Sequence, residues 1–172
     1  EILRVRTYHY KGEVVNTPSF ELELKEELPL DVTDSEEEIS IKSGELTLVI
    51  TKKNWSMTYY RNGEMITRSA GRDLALMKTD FKGLAYNYTD SEETYMRQML
   101  SLSVGELVYG TGERFTPFVK NGQSIDIWNA DGGTSTEQSY KNIPFFITNK
   151  GYGVLVNHPE KVSIEVATEM VT

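Results

Sequence analysis

The sequence predicts an all-β protein, an antiparallel sandwich or barrel, on two observations. Apolar and polar residues alternate with period two in one run after another. Turn signals built on glycine or asparagine separate those runs, so short strands recur at roughly ten-residue spacing.

Taken in order, Phe20, Leu22 and Leu24 alternate with Ser19, Glu21 and Glu23, giving one apolar and one wet face. The acidic run from Glu21 to Glu38, centred on Glu36-Glu37-Glu38, reads as a solvated loop or a strand edge. After the Ser43-Gly44 turn, Leu46, Leu48 and Ile50 alternate with Thr47 and Thr51. Trp55, Met57 and Tyr59 alternate with Ser56, Thr58 and Tyr60, and Asn62-Gly63 follows at once. Both residues of that dipeptide tolerate positive φ, which a type I′ hairpin turn requires, so Glu64 to Ser69 is the returning strand. From Thr94 to Val104, Met96, Met99, Leu100 and Leu102 fit both helix and strand periods; the neighbouring strands favour a strand. Ile143–Thr148 and Gly153–Val156 flank Asn149-Lys150-Gly151 as a second hairpin, and Val162, Ile164 and Val166 mark a last strand. No internal repeat or linker divides the chain, so residues 1–172 are expected to form one domain.

Composition bounds the function. With 38% hydrophobic and 26% charged residues the chain has the makeup of a globular domain, and its formal charge of −8 argues against a nucleic-acid surface. Nucleic acid is therefore not an expected partner. A membrane is not one either, because no apolar run approaches the ~20 residues of a spanning helix. Cysteine is absent, which removes disulfides, thiolate metal sites and a thiol nucleophile. That suits a reducing compartment such as a bacterial cytoplasm, and export is equally compatible with it. The start at Glu1, without an initiator Met or a signal-peptide pattern, reads as a fragment cut from a longer chain.

The stretch from Tyr109 to Pro159 concentrates glycines, aromatics, amides and unpaired carboxylates, and reads as a long loop between two β-rich regions. A fold tolerates the entropy of such a loop mainly for binding. Gly110-Thr111-Gly112 lacks the third glycine, the P-loop lysine and the βαβ setting of a nucleotide site. Its sharp turn, fixed by hydrogen bonds of Glu113 and Arg114, is the better reading. Asp131, between Ala130 and Gly132-Gly133, either caps a turn or binds a ligand. Trp128, three residues earlier, offers a flat face for a sugar's C–H surface while the acid would accept its hydroxyl hydrogens. Glu113 and Asp131 do not make a catalytic pair on this showing, since glycoside hydrolysis needs two carboxyls about 5–9.5 Å apart and spacing in sequence gives no distance. His9 and His158 have no metal-ligand spacing, and His158 suits a hydrogen-bonded turn. Asn54-Trp55-Ser56 and Asn87-Tyr88-Thr89 match the glycosylation sequon, a pattern common enough by chance to carry nothing.

Four blocks in fixed order carry a resemblance. They are Tyr109-Gly110-Thr111-Gly112-Glu113-Arg114-Phe115, Trp128-Asn129-Ala130-Asp131-Gly132-Gly133-Thr134, Tyr140-Lys141-Asn142-Ile143-Pro144-Phe145, and Gly151 through Pro159. Together they resemble the amino-terminal β-sandwich of glycoside hydrolase family 31, in its bacterial α-xylosidase branch; Gly44 to Ser69 is similar more weakly. The resemblance implies a galactose-mutarotase-like sandwich, truncated at its N-terminus because family members carry strands before Ile2. It implies a partner (β/α)₈ barrel in the intact chain, holding the aspartate nucleophile and acid/base of a retaining mechanism. Such a barrel takes ~250 residues, so no catalytic residue, cofactor or metal is expected here. Asp131 matches the loop acid that hydrogen-bonds the −1 sugar of an α-linked oligosaccharide substrate, with Trp128 beside it. Glu113 and Arg114 would fix the loop or the domain contact. A free carbohydrate-binding module, the N-terminal domain of an α-glucosidase, and a purely structural or docking domain remain alternatives. Open sheet edges in a truncated sandwich predict weak self-association of the isolated chain.

Overall fold

The computed structural model describes residues 2–10, 12, 13, 20, 29–79, 93–128 and 139–168. Among them every regular element is a β-strand and every pairing is antiparallel. The chain gathers into two compact units, the first holding all strands up to Gln98 and the second all those from Val108 onward.

In the first unit, β1 (Asp31–Asp34), β2 (Glu38–Ser43), β3 (Leu46–Thr51), β4 (Ser56–Arg61) and β5 (Glu64–Ser69) form a five-stranded meander in sequence order. The acidic run thus supplies a fully exposed edge strand, β1, whose charged side chains discourage further pairing. Leu48 on β3 and Met57 on β4 are buried at its centre. The β4–β5 turn uses Asn62 at φ 50° and Gly63 at φ 81°, the two left-handed residues a type I′ turn demands. Trp55 lies just before β4, at φ 51° and half exposed, rather than inside the strand. A separate pair, β6 (Leu74–Thr79) with β7 (Glu93–Gln98), shows that the ambiguous stretch is strand only as far as Gln98.

The second unit contains β8 (Val108–Arg114), β9 (Gln123–Ile127), β10 (Ser139–Thr148), β11 (Gly153–Leu155) and β12 (Val162–Val166). They form a three-stranded sheet ordered β11-β10-β8 and a β12-β9 pair. Val108, Ile125, Ile127 and Val166 make its core, with Leu102, Phe146, Val162 and Ile164 packed against them. Among the described residues, the stretch expected as a long loop therefore contains four of these strands in whole or in part. The glycines that suggested a loop permit close strand approach instead. Gly110 and Gly112 sit at φ 112° and 94°, where a Cβ on Gly112 would lie 2.0 Å from the Lys141 carbonyl oxygen. The β8–β10 register shifts between Ser139 and Lys141 and again between Asn142 and Phe146, so these glycines serve an irregular strand pair. The strand expected from the alternation of Phe20, Leu22 and Leu24 falls outside the described residues, apart from Phe20 itself, and so does the second sequon.

Candidate functional site

The candidate site is built where β9 ends and β10 begins. The β9 strand carries the buried Ile125 and Ile127 inward and delivers Trp128 immediately afterwards. Trp128 is 56% exposed, an indole left largely uncovered beside the second unit's core. Asp131 and its flanking Ala130, Gly132 and Gly133 lie outside the described residues, so of the two expected sugar-binding residues only Trp128 is placed.

Trp128 lines a cleft of about 310 Å³ together with Ile127, Asn142, Pro144, His158, Pro159 and Glu160. Its lining mixes apolar faces with a few polar groups, and the cleft is open to solvent. His158 Nε2 lies 3.3 Å from Glu160 Oε2, and the His158 amide donates to the Val156 carbonyl. His158 is thus a hydrogen-bonded turn residue, as its neighbours in sequence suggested. Phe20 reaches the same cleft because Asn157 grips its backbone: the Phe20 amide donates to Asn157 Oδ1 at 2.6 Å, and Asn157 Nδ2 donates back to the Phe20 carbonyl. That two-point grip reproduces a strand pairing with a side chain.

A hydrogen-bond chain ties the site to the sheet. Arg114, the last residue of β8, donates from Nε to the Thr111 carbonyl at 3.2 Å and from Nη2 to both the Asp126 carbonyl and Asn142 Oδ1. Asn142 Nδ2 donates onward to the Trp128 carbonyl at 2.8 Å. On the other side, Ser139 pairs with Arg114 across the sheet, and the Tyr140 ring meets Phe115 edge-on at 5.2 Å. Glu113 points outward on β8 opposite Lys141 and takes no part in this chain.

Two buried charges stand behind these strands. The Lys120 amine donates to Thr116 Oγ1 and the Pro117 carbonyl; burial, and then the nearby Arg114 charge, hold it below the usual lysine range. Glu106 accepts hydrogen bonds from the Ser103 amide and hydroxyl and from the Tyr152 hydroxyl at 2.6 Å. Burial alone would raise its carboxyl, but these bonds outweigh it and hold the group below the usual carboxylate range. Among the described residues, no group of three His, Asp or Glu side chains could hold a metal ion. Asn142, Asn157 and Glu106 were not singled out from the sequence; only the placement of Asn142 and Asn157 inside the four motif blocks hinted at them.

Comparison with known proteins matches residues 1–165 to the family model described as the glycosyl hydrolase 31 N-terminal galactose mutarotase-like domain. The alpha-xylosidase XylQ of Lactiplantibacillus pentosus is 40% identical over 156 residues, which is 90% of this chain and 19% of that protein. An alpha-xylosidase of Emericella nidulans is 38% identical, over 99% of this chain and 23% of that protein. The chain therefore spans about a fifth of the length of the curated relatives it matches. The crystal structure of a GH31 alpha-xylosidase from Xanthomonas citri superposes with a TM-score of 0.66 at 13% identity, covering 86% of this chain and 15% of that one.

Proposed function

This chain belongs to the N-terminal galactose-mutarotase-like domain family of glycosyl hydrolase 31, a β-sandwich fold, and from that premise we propose that it is one wall of the sugar site in a longer α-xylosidase. The longer protein would hydrolyse terminal α-linked xylose by a retaining mechanism. Its nucleophile and acid/base would stand on a (β/α)₈ barrel outside these residues, at a face that added domains can enclose. The observation that carries the reading is the agreement of two relatives, 40% and 38% identical, both named alpha-xylosidases.

In this reading the present residues do no bond-breaking. Trp128 covers the C–H face of the sugar, and Asp131 accepts hydrogen bonds from its non-reacting hydroxyls. Such contacts hold the ring so that binding energy can orient and distort it at the reacting carbon. The exposed Trp128 indole and the cleft beside it are what such a wall needs. Ile143, Phe145 and Ile147 on β10 and Leu155 on β11 also leave apolar surface uncovered, which favours weak self-association of the isolated chain.

The test is Asp131→Asn in the longer protein, assayed on an aryl α-xyloside. Loss of one charge-assisted contact made to the sugar should lower kcat/KM by about 10- to 100-fold. Unchanged turnover would reduce the loop to a structural or docking element. The isolated chain should neither hydrolyse the xyloside nor bind xylose tightly; tight binding would make it an autonomous sugar-binding module.

A further inference from the structure

The cleft lined by Trp128 has a second aromatic side chain in its lining, Phe20. A single exposed phenylalanine needs no explanation, but this one is held in place by a side chain that has no other printed partner. The Phe20 amide donates to Asn157 Oδ1 at 2.6 Å, and the Phe20 carbonyl accepts from Asn157 Nδ2 at 3.3 Å. An asparagine amide carries an acceptor and a donor side by side on a short stem, so it meets one residue's backbone as a neighbouring strand would. Asn157 is itself fixed. Val156, before it, donates its amide to the Pro144 carbonyl of β10 at 2.8 Å, and His158, after it, donates its amide to the Val156 carbonyl. Trp128 is tied to the same strand, because its carbonyl accepts from Asn142 Nδ2. Two aromatic residues far apart in sequence are thus anchored through their backbones to β10, while their rings stay 43% and 56% exposed in one cleft.

We propose that Phe20 is a second sugar-binding residue of this site and that Asn157 is the positioning residue that holds it there. The inference rests on the sugar-wall reading of the domain and adds the ring that shares the sugar with Trp128. A pyranose presents C–H groups on its faces and hydroxyls around its rim. Two aromatic side chains in one cleft cover the C–H surface, and Asn142, His158 and Glu160 in the same lining carry the donors and acceptors that hydroxyls need. His158 Nε2 and Glu160 Oε2, 3.3 Å apart, brace each other at this polar part of the lining. Asn157 does not line the cleft, and both ends of its amide are taken by the Phe20 backbone, so it acts on the sugar only through Phe20. Because that grip is made on folding, capture of the sugar does not have to order the Phe20 backbone.

The test is inhibition of the longer protein by free xylose, a probe that occupies the sugar site without the aryl group of a chromogenic substrate. Phe20→Leu keeps an apolar side chain but removes the flat face, and should raise the xylose inhibition constant about 5- to 10-fold, the scale of losing one aromatic contact. Phe20→Tyr keeps the face and should stay within about 2-fold of wild type. Since Phe20 is partly exposed, Phe20→Leu should melt at the wild-type temperature, which separates lost binding from lost folding. Asn157→Leu removes both halves of the grip and should weaken xylose about as much as Phe20→Leu. The double variant should add less than about 2-fold, because one residue acts through the other. Losses that multiply in full would overturn the positioning role of Asn157. A Phe20→Leu protein that binds xylose as wild type does, while Trp128→Ala binds it weakly, would overturn the inference and leave the sugar wall standing. If Trp128→Ala also binds xylose as wild type does, the sugar wall itself fails, and Phe20 with it.

Discussion

Replacing Glu106 tests whether a buried carboxylate organises the second unit. Glu106 is 3% exposed and accepts hydrogen bonds from Ser103 at 2.8 and 2.9 Å, from Tyr152 at 2.6 Å and from the Thr148 side chain. Its own backbone carbonyl accepts from Asn121 Nδ2, whose Oδ1 in turn takes the Val108 amide. The carboxylate therefore joins the start of β8 to the β10–β11 turn, and a side-chain amide adds the 116–122 segment. Each hydrogen bond to a charged group contributes about 1.5–3 kcal/mol, though bonds sharing one acceptor do not add in full. Glu106→Ala, which leaves the Ser103 amide and the Tyr152 hydroxyl without their acceptor, should cost about 3–5 kcal/mol, the scale for stripping a buried charge network of one member. In a chain of this size that lowers the melting midpoint by roughly 10 °C. Glu106→Gln keeps shape and an acceptor oxygen but loses the charge, and should cost about 1–2 kcal/mol at neutral pH. The pH dependence follows from the direction of the shift. The folded carboxyl sits below its ordinary value of 4.5, so its contribution is complete above that value and is lost as pH falls through the lower folded one. Urea midpoints measured from pH 7 to pH 3 should show the wild-type advantage over Glu106→Gln shrinking only below about 4.5. An advantage that ignores pH, or a Glu106→Ala protein as stable as wild type, would refute the reasoning.

The other stability predictions separate backbone strain from crowding and desolvation from pairing. Gly63→Ala and Gly112→Ala both place a side chain at positive φ, but Gly63 has open space where Gly112 has the Lys141 carbonyl; melting midpoints should show a loss of about 1 kcal/mol for the first and about 3 kcal/mol or more for the second. Lys120→Met should remove an alkaline gain in stability. The folded amine sits below its ordinary value of 10.5, so the unfolded chain binds more protons as pH rises toward that value and the native state gains there. Urea midpoints at pH 7 and pH 10 should therefore diverge in favour of wild type at the higher pH.

In the first unit β3, β4 and β5 were legible because their information is local. Asn62-Gly63 fixes a turn and starts the pairing of β4 on β5, which slips by one residue between Tyr59 and Tyr60, and alternation along β4 alone assigns Met57 inward without reference to distant residues. β1, β2, β6, β8 and β9 were not legible: β1 is four residues long and exposed, no turn dipeptide frames β6, and the signals of β8 and β9 were hidden by glycines and by the aromatic and amide residues around them. At the candidate site the sequence pointed to Trp128 and Asp131, whose chemistry is visible in their side-chain type. Asn142 was invisible in this sense. Its role comes from sitting between Arg114 and Trp128 across two strands, and an asparagine in a strand announces neither partner.

Gly110 and Gly112 show why that information was out of reach and why it bears on binding. Read along the chain, they signal a loop; read across the sheet, they are where β10 passes too close for a Cβ, so they let Arg114 come down beside Asn142. The consequence is energetic. Closing a segment the length of 129–138 costs about 2 kcal/mol beyond a constant, by the logarithmic loop term. Here the β8–β10 pairing and the Arg114–Asn142 bond hold residues on both sides of that segment, so that cost is met on folding.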